Sequence, residues 1–268
     1  MKLQGKVFAV TGGGNGIGRE VVLALLDRGA RVAALDRREN SLAETARIAG
    51  EPADRLSVHT VDITDRTAVE ALPGGVVAAL GQVDGLLNVA GIIQQFTPFA
   101  DLAYEEIERV LAVNFWGVVH TTKAFLPHLM GRPEACIVNV SSMGGLAPVP
   151  GQTVYGASKA AVKLLTEGLY AEMRGTSVAV TVVFPGGVAT GITANSGVAA
   201  PVSADEASTS MKLTTPQDAA RQIVEAVERG SYRLVIGRDA RMLDRLARLS
   251  PRRATDTVAK RMASLVRT

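Results

Sequence analysis

The stretch KVFAVTGGGNGIG, residues 6–18, sets a short apolar, β-favouring run directly against a cluster of glycines that opens into a helical pattern. β-branched and aromatic residues suit a pleated surface, and glycines let a chain leave a strand through a sharp turn. The helix that follows turns its N-terminal amides towards that bend. A strand, a glycine turn and a helix in this order begin a βαβ unit, so the rest of the chain decides whether a parallel sheet follows.

The pattern repeats. VFAVTG, RVAALD, LSVHTVD, GLLNVAG, CIVNVSS, VAVTVVFPG and YRLVIG read as strands, several of them apolar throughout, as expected where helices cover both faces. Between them lie helix-length segments: one after TGGGNGIG, then SLAETARIAG, TAVEALPGGVVAAL, YEEIERVLAVNFWGVVHTTKAFLPHLM, TVYGASKAAVKLLTEGLYAEMR and PQDAARQIVEAVERG. The predicted fold is α/β, a Rossmann-type doubly wound parallel sheet of seven strands with helices on both faces. In such folds ligands sit outside the carboxyl ends of the strands.

A chain of 268 residues, 47% hydrophobic and 21% charged, fits one folded α/β domain and excludes a disordered or fibrous protein. The net charge of +3 hides an asymmetry: from Arg238 onward nine Lys/Arg stand against three Asp/Glu, a net of +6, so the first 237 residues carry 20 against 23, a net of −3. The body therefore has no basic surface suited to nucleic acid. Residues 1–237 are expected to form the catalytic domain, and residues 238–268 a basic helical extension of it. The strand starting near Lys6 leaves no room for a secretory leader, and the lone Cys136 suits a reducing compartment; the expected location is the cytoplasm. His59, His120 and His128 show no metal-ligand spacing, so no metal is implied.

Chemistry is sought at the strand ends. The turn from Gly12 to Gly18 can bring backbone close to a pyrophosphate at a helix N-terminus. Asp36, at the end of the second strand, can accept hydrogen bonds from ribose hydroxyls and would repel a 2′-phosphate, which favours NAD; Arg37 and Arg38 follow at once and could instead pair with that phosphate, leaving NADP open. Asp62, followed by Ile63, could meet an adenine amino group or serve as a helix-start signal. Tyr155 and Lys159 stand four residues apart on one helix, where an ammonium can stabilise a phenolate. Ser142 lies 13 residues before Tyr155.

These motifs, in this order, resemble the short-chain dehydrogenase/reductase family over roughly residues 5–237. Thr11–Gly18 is similar to its TGxxxGxG turn, which implies cofactor contacts at Gly12, Asn15, Gly16, Ile17 and Gly18. Asn88-Val-Ala-Gly91 is similar to its Asn-Asn-Ala-Gly motif, with Val89 departing, and implies contacts at Asn88, Ala90 and Gly91. The resemblance makes Asn114, Ser142, Tyr155 and Lys159 the catalytic set, with Lys159 also holding the nicotinamide ribose and Asn114 a water. Pro185-Gly-Gly-Val-Ala-Thr190 resembles the segment facing the nicotinamide, which implicates Pro185, Gly186, Val188 and Thr190. Assembly as a homodimer or homotetramer is a further implication.

The expected activity is NAD-dependent interconversion of a secondary alcohol and a ketone. An apolar substrate is expected because the pocket candidates Ile92, Ile93, Phe96, Met143, Leu146, Val149 and Phe184 are mostly apolar; Gln94, Gln95 and Phe96 either line that pocket or form an ordinary loop. An NADPH-dependent carbonyl or 3-oxoacyl reductase and a non-catalytic nucleotide-binding regulator are the alternatives. Residues 191–214, small and polar, are a candidate lid. In the tail, arginines at 238, 241, 245, 248 and 252 flank an apolar stripe of Met242, Leu246 and Leu249; the stripe must cover the body, the lid, another subunit or an anionic membrane surface.

Overall fold

The structure, a computed structural model, describes residues 1–51, 54–198 and 213–263. Seven strands form one sheet: β1 (Val7–Thr11), β2 (Arg31–Asp36), β3 (Leu56–Thr60), β4 (Gly85–Asn88), β5 (Ala135–Val140), β6 (Val178–Pro185) and β7 (Arg233–Ile236). Their order is β3-β2-β1-β4-β5-β6-β7 and each neighbouring pair is parallel. The winding reverses between β1 and β4, which opens a crevice above their carboxyl ends.

The strands alternate between two cores. Phe8 and Val10 of β1 and Val32 and Ala34 of β2 pack under α1 (Gly16–Asp27), α2 (Glu39–Ala49) and α8 (Pro216–Arg229). Val7, Ala9, Ala33 and Leu35 face the other way, towards α3 (Arg66–Leu80), α5 (Gly117–Met130) and α6 (Thr153–Glu172). Burial on both faces explains why these strands read as continuous apolar runs.

The long helical pattern before β5 is not one α-helix. Its first part, α4 (Tyr104–Leu111), joins α5 through a π-helical turn, Ala112–Trp116, where the Gly117 N–H donates to the carbonyl of Ala112. After β6 a short helix, α7 (Ile192–Asn195), opens the segment read as a lid; residues 199–212 of that segment lie outside the described residues. Thr215 caps α8 by accepting from the Asp218 N–H at 3.1 Å, with Pro216 at the first helical position.

The tail folds as α9 (Arg238–Leu249) and α10 (Pro251–Arg261); of its expected apolar stripe Leu246 packs on the body, while Met242 and Leu249 are exposed. Leu243 and Ala254 pack with Ala147, against Met143, Leu246 and Val258. Arg233 pairs with Asp244 through two bonds of 2.7 and 2.9 Å and stacks 4.4 Å over the Phe184 ring. Phe184, expected in the substrate pocket, is thus fully buried beneath that cation. Among the described residues no helix is long and apolar enough to cross a membrane.

Candidate active site

A cleft lies over the β1/β4 switch point. One wall is the glycine turn: Gly12, Asn15, Gly16, Ile17 and Gly18 all line it. Gly12 has φ of 72°, and a Cβ there would stand 3.0 Å from the Ala90 backbone, so only glycine fits between the ends of β1 and β4. Asn15 caps α1 by accepting from the Gly16 N–H at 2.6 Å. Helix geometry then leaves the amides of Ile17 and Gly18 for an anion. Thr11 closes the floor, its hydroxyl accepting from the N–H groups of Val89 and Ala90 at 3.1 and 3.2 Å.

Asp36 stands at one end of the cleft with both oxygens fixed, accepting from Gly14 N–H at 3.1 Å and Arg38 N–H at 3.0 Å. Arg37 and Arg38 both line the cleft, but Arg38 is the engaged one. It lies 3.8 Å from Asp36 and donates to Asn195 at 2.8 Å, and Asn195 also accepts from Asn15 at 3.4 Å. Asp62 and Ile63 line the same end. Asp62 accepts from the N–H and hydroxyl of Thr64, while Asp65 caps α3, so the helix-start signal in this stretch belongs to Asp65.

Ala90, Gly91 and Thr190 line the inner part of the cleft. Three expected contacts, Pro185, Gly186 and Val188, stand back from the cleft lining: Val188 bridges to Thr214, and Gly186 lies against Asp239. Asn88 likewise stands back from the cleft lining. Its side chain points into the interior, donating to Asn139 at 2.9 Å and Thr122 at 3.3 Å and accepting from Thr121 at 2.8 Å, so its amide is consumed between β4, β5 and α5. The sequence assigns no role to Asn195, and reads Arg38 only as a partner for a 2′-phosphate. Nothing in the pattern after β6 marks Asn195, and adjacent arginines at a strand end do not reveal which turns inward.

The expected catalytic side chains fall into two pairs, one beside Gly91 of the cleft lining and one beside Gly144, linked along α6. A Cβ on Gly91 would lie 3.0 Å from Lys159 Nζ and 3.3 Å from Asn114 Oδ1; one on Gly144 would lie 3.3 Å from the Tyr155 ring and 3.5 Å from Ser142 Oγ. Ser142 is partly exposed, whereas Ser141 is buried and donates its hydroxyl to the Lys159 carbonyl at 2.7 Å. Asn114 sits in the π-helical turn, a feature frequent at functional sites. There it grips Ile92 from both sides, accepting from its N–H and donating to its carbonyl at 2.9 Å each, and donates to Ser158 at 3.0 Å.

Burial pushes the Tyr155 phenol above its ordinary value, and the Ser142 hydroxyl beside it opposes that rise. Burial also pushes the Lys159 ammonium down to about 8. Lys159 donates to the Val140 carbonyl at 3.0 Å. The expected stabilisation of the phenolate by Lys159 therefore does not show in the chain alone, where desolvation raises the phenol and the Ser142 hydroxyl opposes it.

Comparison with known proteins agrees with this geometry. Residues 6–200 match the family model described as short chain dehydrogenase. The chain is 40% identical over 253 residues to SadH of Mycobacterium tuberculosis, named as an oxidoreductase, covering 92% of this chain and 91% of that one. It is 34% identical to 3beta-hydroxysteroid dehydrogenase 2 of Eggerthella lenta over 71% of this chain and 74% of that one. A short chain dehydrogenase/reductase from Burkholderia phymatum, solved in complex with NAD, superposes with a TM-score of 0.86 at 28% identity, covering 95% and 97% of the two chains.

Fold and site together define a nucleotide-binding oxidoreductase of the doubly wound class. The chain belongs to the short-chain dehydrogenase/reductase family, and with it to the enzymes that work with NAD(P).

Proposed function

We propose that this enzyme interconverts an apolar secondary alcohol and its ketone with NAD, using Tyr155 as acid and base. The reading is supported by two pairs linked along α6, Lys159 with Asn114 beside Gly91 of the cleft and Tyr155 with Ser142 beside Gly144, and by a fixed carboxylate, Asp36, at the other end of that cleft. The cradle fits a dinucleotide: a close glycine approach at Gly12, free amides at the start of α1, and Asp36 for ribose hydroxyls.

A bound nicotinamide supplies the hydride acceptor or donor. The chain supplies the rest. Ser142 donates a hydrogen bond to the substrate oxygen, Tyr155 takes the hydroxyl proton during oxidation and returns it during reduction, and Lys159 contributes a cation beside the phenol. A phenol raised by burial suits proton donation, and bound positive charge is needed before it becomes a base. An apolar substrate is supported by Met143, the residue after Ser142, in one apolar cluster with Leu246, and by the likeness to a hydroxysteroid dehydrogenase.

An NADPH-dependent carbonyl or 3-oxoacyl reductase is the second reading, and it rests on Arg37 and Arg38 at the ribose end of the cleft. A non-catalytic regulator would need the glycine turn but not the four proton-handling residues. Homodimer or homotetramer assembly belongs to the proposal, supported by exposed Tyr104, Trp116 and Leu164 on outer helices. So does a cytoplasmic location, supported by the lone cysteine. Exposed Met242 and Leu249 beside Arg241 and Arg245 leave anionic membrane contact as a property to test with the purified protein.

The decisive experiment is oxidation of a panel of secondary alcohols, from propan-2-ol to hydroxysteroids, with NAD⁺ and NADP⁺ in parallel. NAD⁺-dependent turnover that rises with apolar size supports the proposal. Reduction of 3-oxoacyl thioesters by NADPH alone would replace it with the second reading.

A further inference from the structure

Gln94, read from sequence as a pocket residue, is fully buried and faces the first turn of α6. Its amide oxygen accepts from the backbone N–H groups of Val154 and Tyr155, each at 2.9 Å, and its amide nitrogen donates to the Gly151 carbonyl at 2.9 Å. Gln152 donates back to the Gln94 carbonyl at 2.7 Å. The first N–H groups of a helix have no partner within it, and Gln152, the residue before α6, makes no side-chain cap bond. The cap is supplied instead by the segment that follows β4.

That segment reaches Lys159, Asn114 and α7 before it reaches α6. Gly91 borders Lys159, Ile92 is held on both sides by Asn114, and the Ile93 N–H donates to Ser196, just after α7, at 3.0 Å. Gln94 then fixes the turn of α6 that carries Tyr155.

We propose that Gln94 is a positioning residue for Tyr155, holding the phenol in register with Ser142 and the inner end of the cleft; this rests on Tyr155 being the acid/base. The amide is suited to the task because it offers one acceptor oxygen for two N–H groups and a donor for the Gly151 carbonyl. A methionine of similar length offers neither. A protonated glutamic acid offers both, and an ionised one sets a carboxylate oxygen against that carbonyl.

The test compares Gln94→Met, Gln94→Glu and Tyr155→Phe on the alcohol of the panel that the wild type oxidises fastest, with NADH affinity followed by nicotinamide fluorescence. Gln94→Met is expected to lower kcat about tenfold or more while NADH affinity stays within about twofold, since a small misplacement costs rate before it costs binding. Gln94→Glu is expected to regain kcat at acid pH and lose it through an ionisation the wild type lacks. A Gln94→Met enzyme with wild-type kcat, or one losing kcat and NADH affinity together without pH-dependent recovery in Gln94→Glu, would overturn the positioning role. Turnover surviving in Tyr155→Phe would sink the acid/base reading itself, and the positioning role with it.

Discussion

The carboxylate of Asp239 accepts a hydrogen bond from the Gly187 N–H at 2.7 Å. Asp239 belongs to the first turn of α9, and Gly187 to the segment that leaves β6 towards the cleft. The basic extension is therefore wired to the segment resembling the nicotinamide loop. A Cβ on Gly186 would collide with the same carboxylate, and one on Gly187 would lie 2.7 Å from the Leu213 side chain, which accounts for two consecutive glycines after Pro185.

Replacing Asp239 by Ala should loosen this segment and leave the Gly187 N–H without its partner. The expected effects are a stability loss of about 1–2 kcal/mol and a several-fold weaker NADH affinity. Thermal melts with and without NADH separate the two, because loosening confined to the loop lowers the cofactor-induced shift more than the melting temperature. An unchanged shift would mean that α9 props the fold alone.

Asp36 should decide cofactor choice. Its oxygens are held by Gly14 and Arg38, and Arg38 also reaches Asn195, so both arginines are near enough to take over the ribose end when the carboxylate goes. Asp36→Ala should weaken NADH by about tenfold and tighten NADPH, moving the ratio of their dissociation constants by roughly two orders of magnitude. Paired titrations measure it; a ratio that stays put would remove Asp36 as the discriminating group.

Ser141 and Ser142 should separate cleanly. Ser142→Ala removes the hydroxyl beside Tyr155, which also accepts from the Gly144 N–H at 3.0 Å, and should lower kcat by about 10²-fold or more while costing about 1 kcal/mol of stability. Ser141→Ala removes the bond to the Lys159 carbonyl and should cost about 1 kcal/mol of stability while kcat falls only a few-fold. Equal kinetic losses would show that the serines act as a unit.

The sheet was legible because strands buried on both faces print continuous apolar runs, and the glycine turn marks the first crossover. The ends of those strands then located Asp36, Gly91 and Ser142. What was hidden depends on partners without a sequence signature. Gln94 binds backbone N–H groups, which any residue carries. Asn88 reads equally well as a cleft residue or an interior one until Asn139 and Thr121 are seen beside it. The π-helical turn that brings Asn114 to Ile92 has no propensity of its own, so the chain around it reads as one long helix.

Lys159 should make the protein less stable at neutral pH than it need be. It is 4% exposed, and its ammonium falls from the ordinary 10.5 to about 8 on folding. Between those values the unfolded chain binds more protons than the native one, so stability rises with pH across that window, and the cost is present in full below pH 8. A shift of this size corresponds to about 3 kcal/mol, offset in part by the bond to the Val140 carbonyl, which a variant without the ammonium would lose. Lys159→Met should therefore abolish turnover yet unfold at least as reluctantly as the wild type at pH 7, by up to about 2 kcal/mol. That advantage should shrink towards pH 10. Urea unfolding of both proteins at pH 7 and pH 10 measures it, and a variant less stable at pH 7 by the same margin as at pH 10 would show that the buried ammonium carries no such cost.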